Sequence, residues 1–104
     1  MYNLDVKPTA DKKFKKFEKK DKEQLRRIGK KIKQIRKDPY HFKPLGYPLD
    51  GLRRAHVGSF VIVYEIDGEG KTVIILDYEH HDYIYKRYRV LHDARLKLGG
   101  YRPI

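Results

Sequence analysis

Residues 60–66, FVIVYEI, and 71–78, KTVIILDY, constrain this chain more than any other stretch. Successive side chains of a strand point to opposite faces. Phe60, Ile62 and Tyr64 therefore share one face and Val61 and Val63 the other, and neither parity is polar. Strands of this kind sit in the middle of a sheet, with helices covering one face. Gly58-Ser59 precedes the first run, and Asp67-Gly-Glu-Gly70 separates it from the second. Glycines so placed are hairpin signals. With LRRAHV at 52–57 they predict three antiparallel strands. That earlier strand puts Leu52, Arg54 and His56 on one face, and Arg53, Ala55 and Val57 on the other.

The N-terminal third supplies the helices. Residues 2–7, YNLDVK, read as a short strand ending at Pro8. Thr9 is a plausible N-cap, with Asp11 in the first turn. Ala10, Phe14 and Phe17 then fall at helical spacing as far as about Lys20. Asp21-Lys-Glu-Gln24 resembles a capping box. Leu25, Ile28, Ile32 and Ile35 recur at helical steps until Asp38-Pro39, because a residue before proline resists helical geometry. Two helices with almost nothing between them fold back as a hairpin. Residues 39–51 hold Pro39, Pro44 and Pro48 and form a loop that crosses the molecule. A last helix is predicted over 82–98, with Tyr85, Tyr88, Leu91, Arg95 and Leu98 along one side and Gly99-Gly100 ending it. The order is β-α-α-β-β-β-α: an α+β fold in which a helical hairpin packs on an antiparallel sheet. Residues 1–104 make one domain, with a basic C-terminal helix and tail at 86–104.

Charge is distributed unevenly. The chain carries a formal net charge of +11. Residues 1–37 contribute a net +10, residues 38–85 a net −4 and residues 86–104 a net +5. A basic balance favours polyanions through counterion release. The one-sided hairpin points to nucleic acid or a ribosome. There is no cysteine, which excludes disulfides and thiolate metal sites. No apolar run approaches a membrane span, and the N-terminus has no secretory h-region. A cytoplasmic location is expected.

YEHHDYIYKRY at 78–88 is the densest cluster of reactive side chains. Neighbouring residues point to opposite faces of a strand, or about 100° apart on a helix. By that geometry His80 and His81 do not share an ion, and neither a metal nor another cofactor is expected. Cleavage of RNA by its own 2′-OH needs only a base, an acid and cations around the phosphorane. Arg54 and His56 lie on one strand face, with His81 and Tyr85 at the far end of the sheet. Such a set can surround a phosphate.

The passage LRRAHVGSFVIVYEIDGEGKTVIILDYEHHDYIYKR resembles the RelE family of bacterial and archaeal toxins. The likeness covers about residues 2–90. Arg54-Ala-His56-Val-Gly58-Ser-Phe-Val61-Ile-Val-Tyr64 stands where the family has R-x-R-V-G-x-x-R-V-x-Y. Glu79-His80-His81-Asp82-Tyr83-Ile84-Tyr85 stands where its last strand ends. The resemblance implies a microbial-ribonuclease-like fold and the toxin of a type II toxin–antitoxin system. That toxin would be a metal-independent endoribonuclease that cuts messenger RNA on the ribosome and arrests translation. It implies catalytic roles for Arg54, His56, His81 and Tyr85, and RNA contacts from Lys43, Arg53, Arg87 and Arg89. His80 mainly closes the strand. Val61 occupies the position of a family arginine, which implies weaker catalysis. The implied partners are messenger RNA, the ribosome and an acidic RelB-like antitoxin in a hetero-oligomer, with no membrane. Relatives of the ParE type, which poison DNA gyrase, give an alternative reading. A non-catalytic RNA-binding domain, needing only the basic hairpin, gives another.

Overall fold

The computed structural model describes residues 1–46, 51–84 and 86. Its elements are β1 (Asn3–Val6), α1 (Pro8–Lys20), α2 (Lys22–Lys37), β2 (Leu52–Val57), β3 (Phe60–Asp67) and β4 (Thr72–His80). The strands form one sheet in the order β1-β4-β3-β2. The last helix expected over 82–98 lies outside the described residues beyond its start, where 81–84 and Lys86 are helical.

β2, β3 and β4 pair antiparallel, as their tight turns require. Val57 faces Phe60 across Gly58-Ser59, and Gly58 has φ of 60°. A positive φ at the first central position is the signature of a type II′ hairpin, which suits the natural twist of the strands. β1 is different. It runs parallel to β4, with Asn3 opposite Thr72 and Val6 opposite Ile75. The sheet is therefore mixed, not wholly antiparallel. A tight turn forces an antiparallel neighbour, but the path from β1 through two helices is a crossover, and a crossover leaves strand direction free.

The helices start and stop for local reasons. α1 begins at Pro8, with Lys7 in the cap position and no side-chain bond. The expected cap at Thr9 is displaced because proline, with its fixed φ and missing N–H, favours the first helical position. Asp21 alone separates the helices, at φ −155° and ψ 85°. Its Oδ1 accepts from the Gln24 N–H at 3.0 Å. Only half of a capping box forms, since the Gln24 side chain donates to the Tyr78 hydroxyl instead of returning to Asp21.

The core has two layers. On one face Ala10, Phe14, Ile28 and Ile35 of the helices close on Ala55, Val57, Ile62, Tyr64, Val73, Ile75 and Tyr78 of the sheet. On the other face Val61 and Val63 pack with Leu45, Leu52 and Ile84. The sheet is thus sealed on both faces, the second by a loop residue and by the turn after β4. Burial raises the Tyr64 and Tyr78 phenols to about 12. Tyr64 donates to the Pro39 carbonyl at 2.6 Å, fixing the start of the loop.

One ion cluster ties α1 to β4. Lys13 Nζ lies 2.8 Å from Asp77 Oδ1 and 3.0 Å from Glu79 Oε2. Asp77 is 3% exposed, and its Oδ1 also accepts from the Tyr78 N–H at 2.8 Å. Burial alone would raise the Glu79 carboxyl. The Lys13 hydrogen bond, the His80 N–H and the Lys13 charge outweigh that and lower it. A depressed carboxyl stabilises the fold above its unfolded value, and this is lost as pH falls through the folded value. Lys13→Met should cost about 1.5–3 kcal/mol, the usual worth of a hydrogen bond to a charged group. It should also flatten the loss of stability below the usual carboxylate range. Urea midpoints at neutral and acid pH check both effects, and an equal acid-induced loss in the variant would contradict the assignment.

Candidate nucleic-acid interface

β2 forms one margin of the sheet, and α2 packs against it. Its outer edge is partly stitched to the preceding loop. Leu45 N–H donates to the Leu52 carbonyl at 2.8 Å, and Arg54 N–H to the Lys43 carbonyl at 3.1 Å. These bonds bring Lys43 beside Arg54. Two open grooves flank β2. One, of about 420 Å³, lies between α2 and the end of β2 and includes Arg26, Arg27, Lys30, Lys31 and His56. The second, of about 380 Å³, includes Lys31, His41, Lys43, Arg54 and His56. Lys31 and His56 belong to both.

His56 is where the charges converge. It lies opposite Val61, with Arg54 opposite Val63, so both share the face of the second core layer. His81 N–H donates to the Ser59 carbonyl at 3.0 Å, which holds the end of β4 against the β2–β3 turn. The His56 side chain is exposed at the surface, yet its pKa is lowered. Partial burial of the ring is the largest cause, followed by the positive fields of Arg54, His81 and Lys31. A histidine ordinarily titrates near 6.5. His56 is therefore a neutral imidazole at neutral pH, with cations on several sides, and can accept a proton.

The residues predicted from sequence separate into groups. Arg54, His56, His81 and Lys43 surround this corner. Arg53 points to the opposite face, where Nη1 donates to the Phe42 carbonyl at 2.6 Å and the Tyr40 carbonyl at 3.3 Å. Its guanidinium also lies 5.2 Å from the Tyr40 ring centroid, so Arg53 anchors the loop. Val61 is fully buried in the second core layer, a packing position. Tyr85, Arg87 and Arg89 lie outside the described residues. Sequence reasoning missed Arg26, Arg27, Lys30 and Lys31 as groove residues. Their signal was present: they sit three to four apart, beside the apolar stripe of α2. The geometric argument against His80 and His81 meeting also fails. β4 ends at His80 and a helical turn starts at His81, so the two rings stack with centroids 4.4 Å apart.

Known proteins share this fold. A family model described as the ParE toxin of type II toxin–antitoxin systems, parDE, matches residues 4–85. RelE4 of Methanocaldococcus jannaschii is 42% identical over 94 residues, covering 89% of this chain and all of that protein. The RelBE2 toxin–antitoxin complex of Mycobacterium tuberculosis contains a chain 27% identical, with TM-score 0.66 over 76% of this chain and 96% of that one. A YoeB/ParE toxin from Agrobacterium tumefaciens superposes with TM-score 0.69 at 15% identity, over 76% of this chain and 98% of its own.

The His56 environment can be measured directly. In an NMR titration the His56 ring should titrate below an ordinary histidine. Arg54→Ala should move that midpoint upward by removing a nearby positive charge. A wild-type midpoint at or above 6.5 would contradict the arrangement.

Proposed function

Because the chain belongs to the RelE/ParE superfamily of toxins from type II toxin–antitoxin systems, we propose that it is an endoribonuclease that cuts messenger RNA on the ribosome and arrests translation. The observation that carries this reading is the neutral His56 imidazole at the junction of two cationic grooves. In that role His56 takes the proton of the 2′-OH as the 2′ oxygen bonds to phosphorus. The phosphorus–O5′ bond breaks, leaving a 2′,3′-cyclic phosphate. The departing 5′ oxygen takes a proton from an acid, for which His81 is the assigned group and Tyr85 the second. Arg54 and Lys31 face the charge that builds on the phosphorane, as stabilisation of such a state requires. Lys43, with Arg26, Arg27 and Lys30, holds the flanking backbone, and Arg87 and Arg89 are carried over from the family resemblance as further RNA contacts. No step requires a metal.

A second reading has its own support, since the matching family model is that of ParE. Under it the same surface would engage DNA gyrase without cutting RNA. Under either reading the partner is an acidic antitoxin, because the neighbouring toxins include one solved in complex with its antitoxin and this chain carries +11. Opposite charge speeds such association and makes it salt-sensitive.

Expression of the chain with mapping of message ends separates the two. Cuts within translated codons are expected, without a DNA-damage response. His56→Ala should slow cleavage about 10²–10⁴-fold, the usual contribution of a positioned proton acceptor. Replacing Arg54, His56, His81 and Tyr85 together by alanine should abolish growth arrest in a folded protein. Full toxicity in that variant would remove the proposed site, and DNA damage with intact messages would establish the gyrase reading instead.

A further inference from the structure

His80, His81 and Asp82 bring two imidazoles and a carboxylate to one point on the surface. We propose that they bind a single borderline divalent ion, of the class of zinc, nickel or copper(II). The break between strand and helical turn makes this possible. It stacks the two rings and directs both Nδ1 atoms toward Asp82. His81 Nδ1 lies 3.0 Å from Oδ1, and His80 Nδ1 lies 3.7 Å from Oδ2. One donor atom from each residue lies within 4.8 Å of the other two. Zinc holds nitrogen and oxygen donors at about 2.0–2.2 Å, which sets tetrahedral donors about 3.3 Å apart. The cluster is already near that spacing.

Its surroundings hold it in place. The His80 ring stands edge-on to Phe60 and Tyr83, with centroids 5.7 and 6.1 Å away. His80 Nδ1 accepts from the Asp82 N–H at 3.3 Å, so it carries the lone pair a metal ligand needs, and an ion displaces this long bond. Glu79 does not compete, being held by Lys13. Two nitrogens and one oxygen suit borderline ions, whereas magnesium and calcium prefer all-oxygen sites. Three protein donors leave coordination positions to water. An ion here would also withdraw His81 from RNA. That consequence rests on the ribonuclease reading, whereas the binding itself does not.

The test is calorimetric titration of the untagged full chain, stripped by chelator, with zinc, nickel or magnesium chloride. One zinc or nickel ion per chain is expected, and no magnesium. Asp82→Asn and His80→Ala should each weaken binding more than about ten-fold, since even residues that only orient metal ligands commonly cost that much. His41→Ala, which alters a histidine of the loop before β2, should leave binding unchanged. Circular dichroism establishes that each variant is folded. If His80→Ala unfolds, Asp82→Asn decides alone, because Asp82 is exposed. Absence of stoichiometric zinc or nickel binding, equal binding of magnesium, or undiminished affinity in Asp82→Asn would overturn the proposal.

Discussion

Strand β3 places Val61 and Val63 on one face and Ile62 and Tyr64 on the other, all without exposed surface, so two separate covers are needed from a chain of 104 residues. Each buried side chain of this size is worth about 1.5–3 kcal/mol, which makes incomplete cover on either side expensive. The helical hairpin seals the first face, and the single extended residue Asp21 lets both helices fold back onto it. Among the described residues, neither α1 nor α2 covers the second face. Leu45 from the loop and Ile84 from the turn after β4 close it. For that reason the loop is tied down so firmly, through Tyr64 to Pro39 and through Arg53 to Tyr40 and Phe42.

The site is a by-product of this cover. Leu52 fills the inner end of β2, and Arg54 and His56 follow on the same face toward the rim. The sheet supplies few other cations, since residues 38–85 are net acidic. Packing α2 against β2 corrects this by bringing Lys31 and its neighbours to the edge. Positive charge from the first third of the chain thus acts at a histidine in the second. At physiological salt these fields reach only about 8 Å, so the effect depends on close packing of helix and strand and not on net charge alone.

The parts of the fold legible in sequence are those fixed by short-range chemistry. Glycine turns defined the β2–β3–β4 meander, and spacing of Leu25, Ile28, Ile32 and Ile35 defined α2. The direction of β1 was not legible, because no local signal specifies how a crossover strand docks. Thr9 was a chemically suitable cap, but Pro8 beside it had the stronger positional preference. At the site, alternation correctly put Arg54 and His56 together. The same rule misplaced His80 relative to His81, because it presumes that the strand continues and here it stops between them. Arg53 looked like a free cation in sequence. Its bonds run to carbonyls more than ten residues away, a tertiary fact with no local trace.

The parallel pairing of β1 with β4 has a further implication for synthesis. Asn3 and Lys7 complete their backbone bonds only with residues 71–75, which leave the ribosome long after them. Closing so long a loop is entropically unfavourable until the pairing contacts repay it, and folds built on distant pairings form slowly. The helical hairpin can take shape early, but its sheet surface cannot. His81 is also anchored to Ser59 across the β3–β4 hairpin. A nascent chain therefore has its basic helices well before β4 can complete the sheet and bring His81 to the β2–β3 turn.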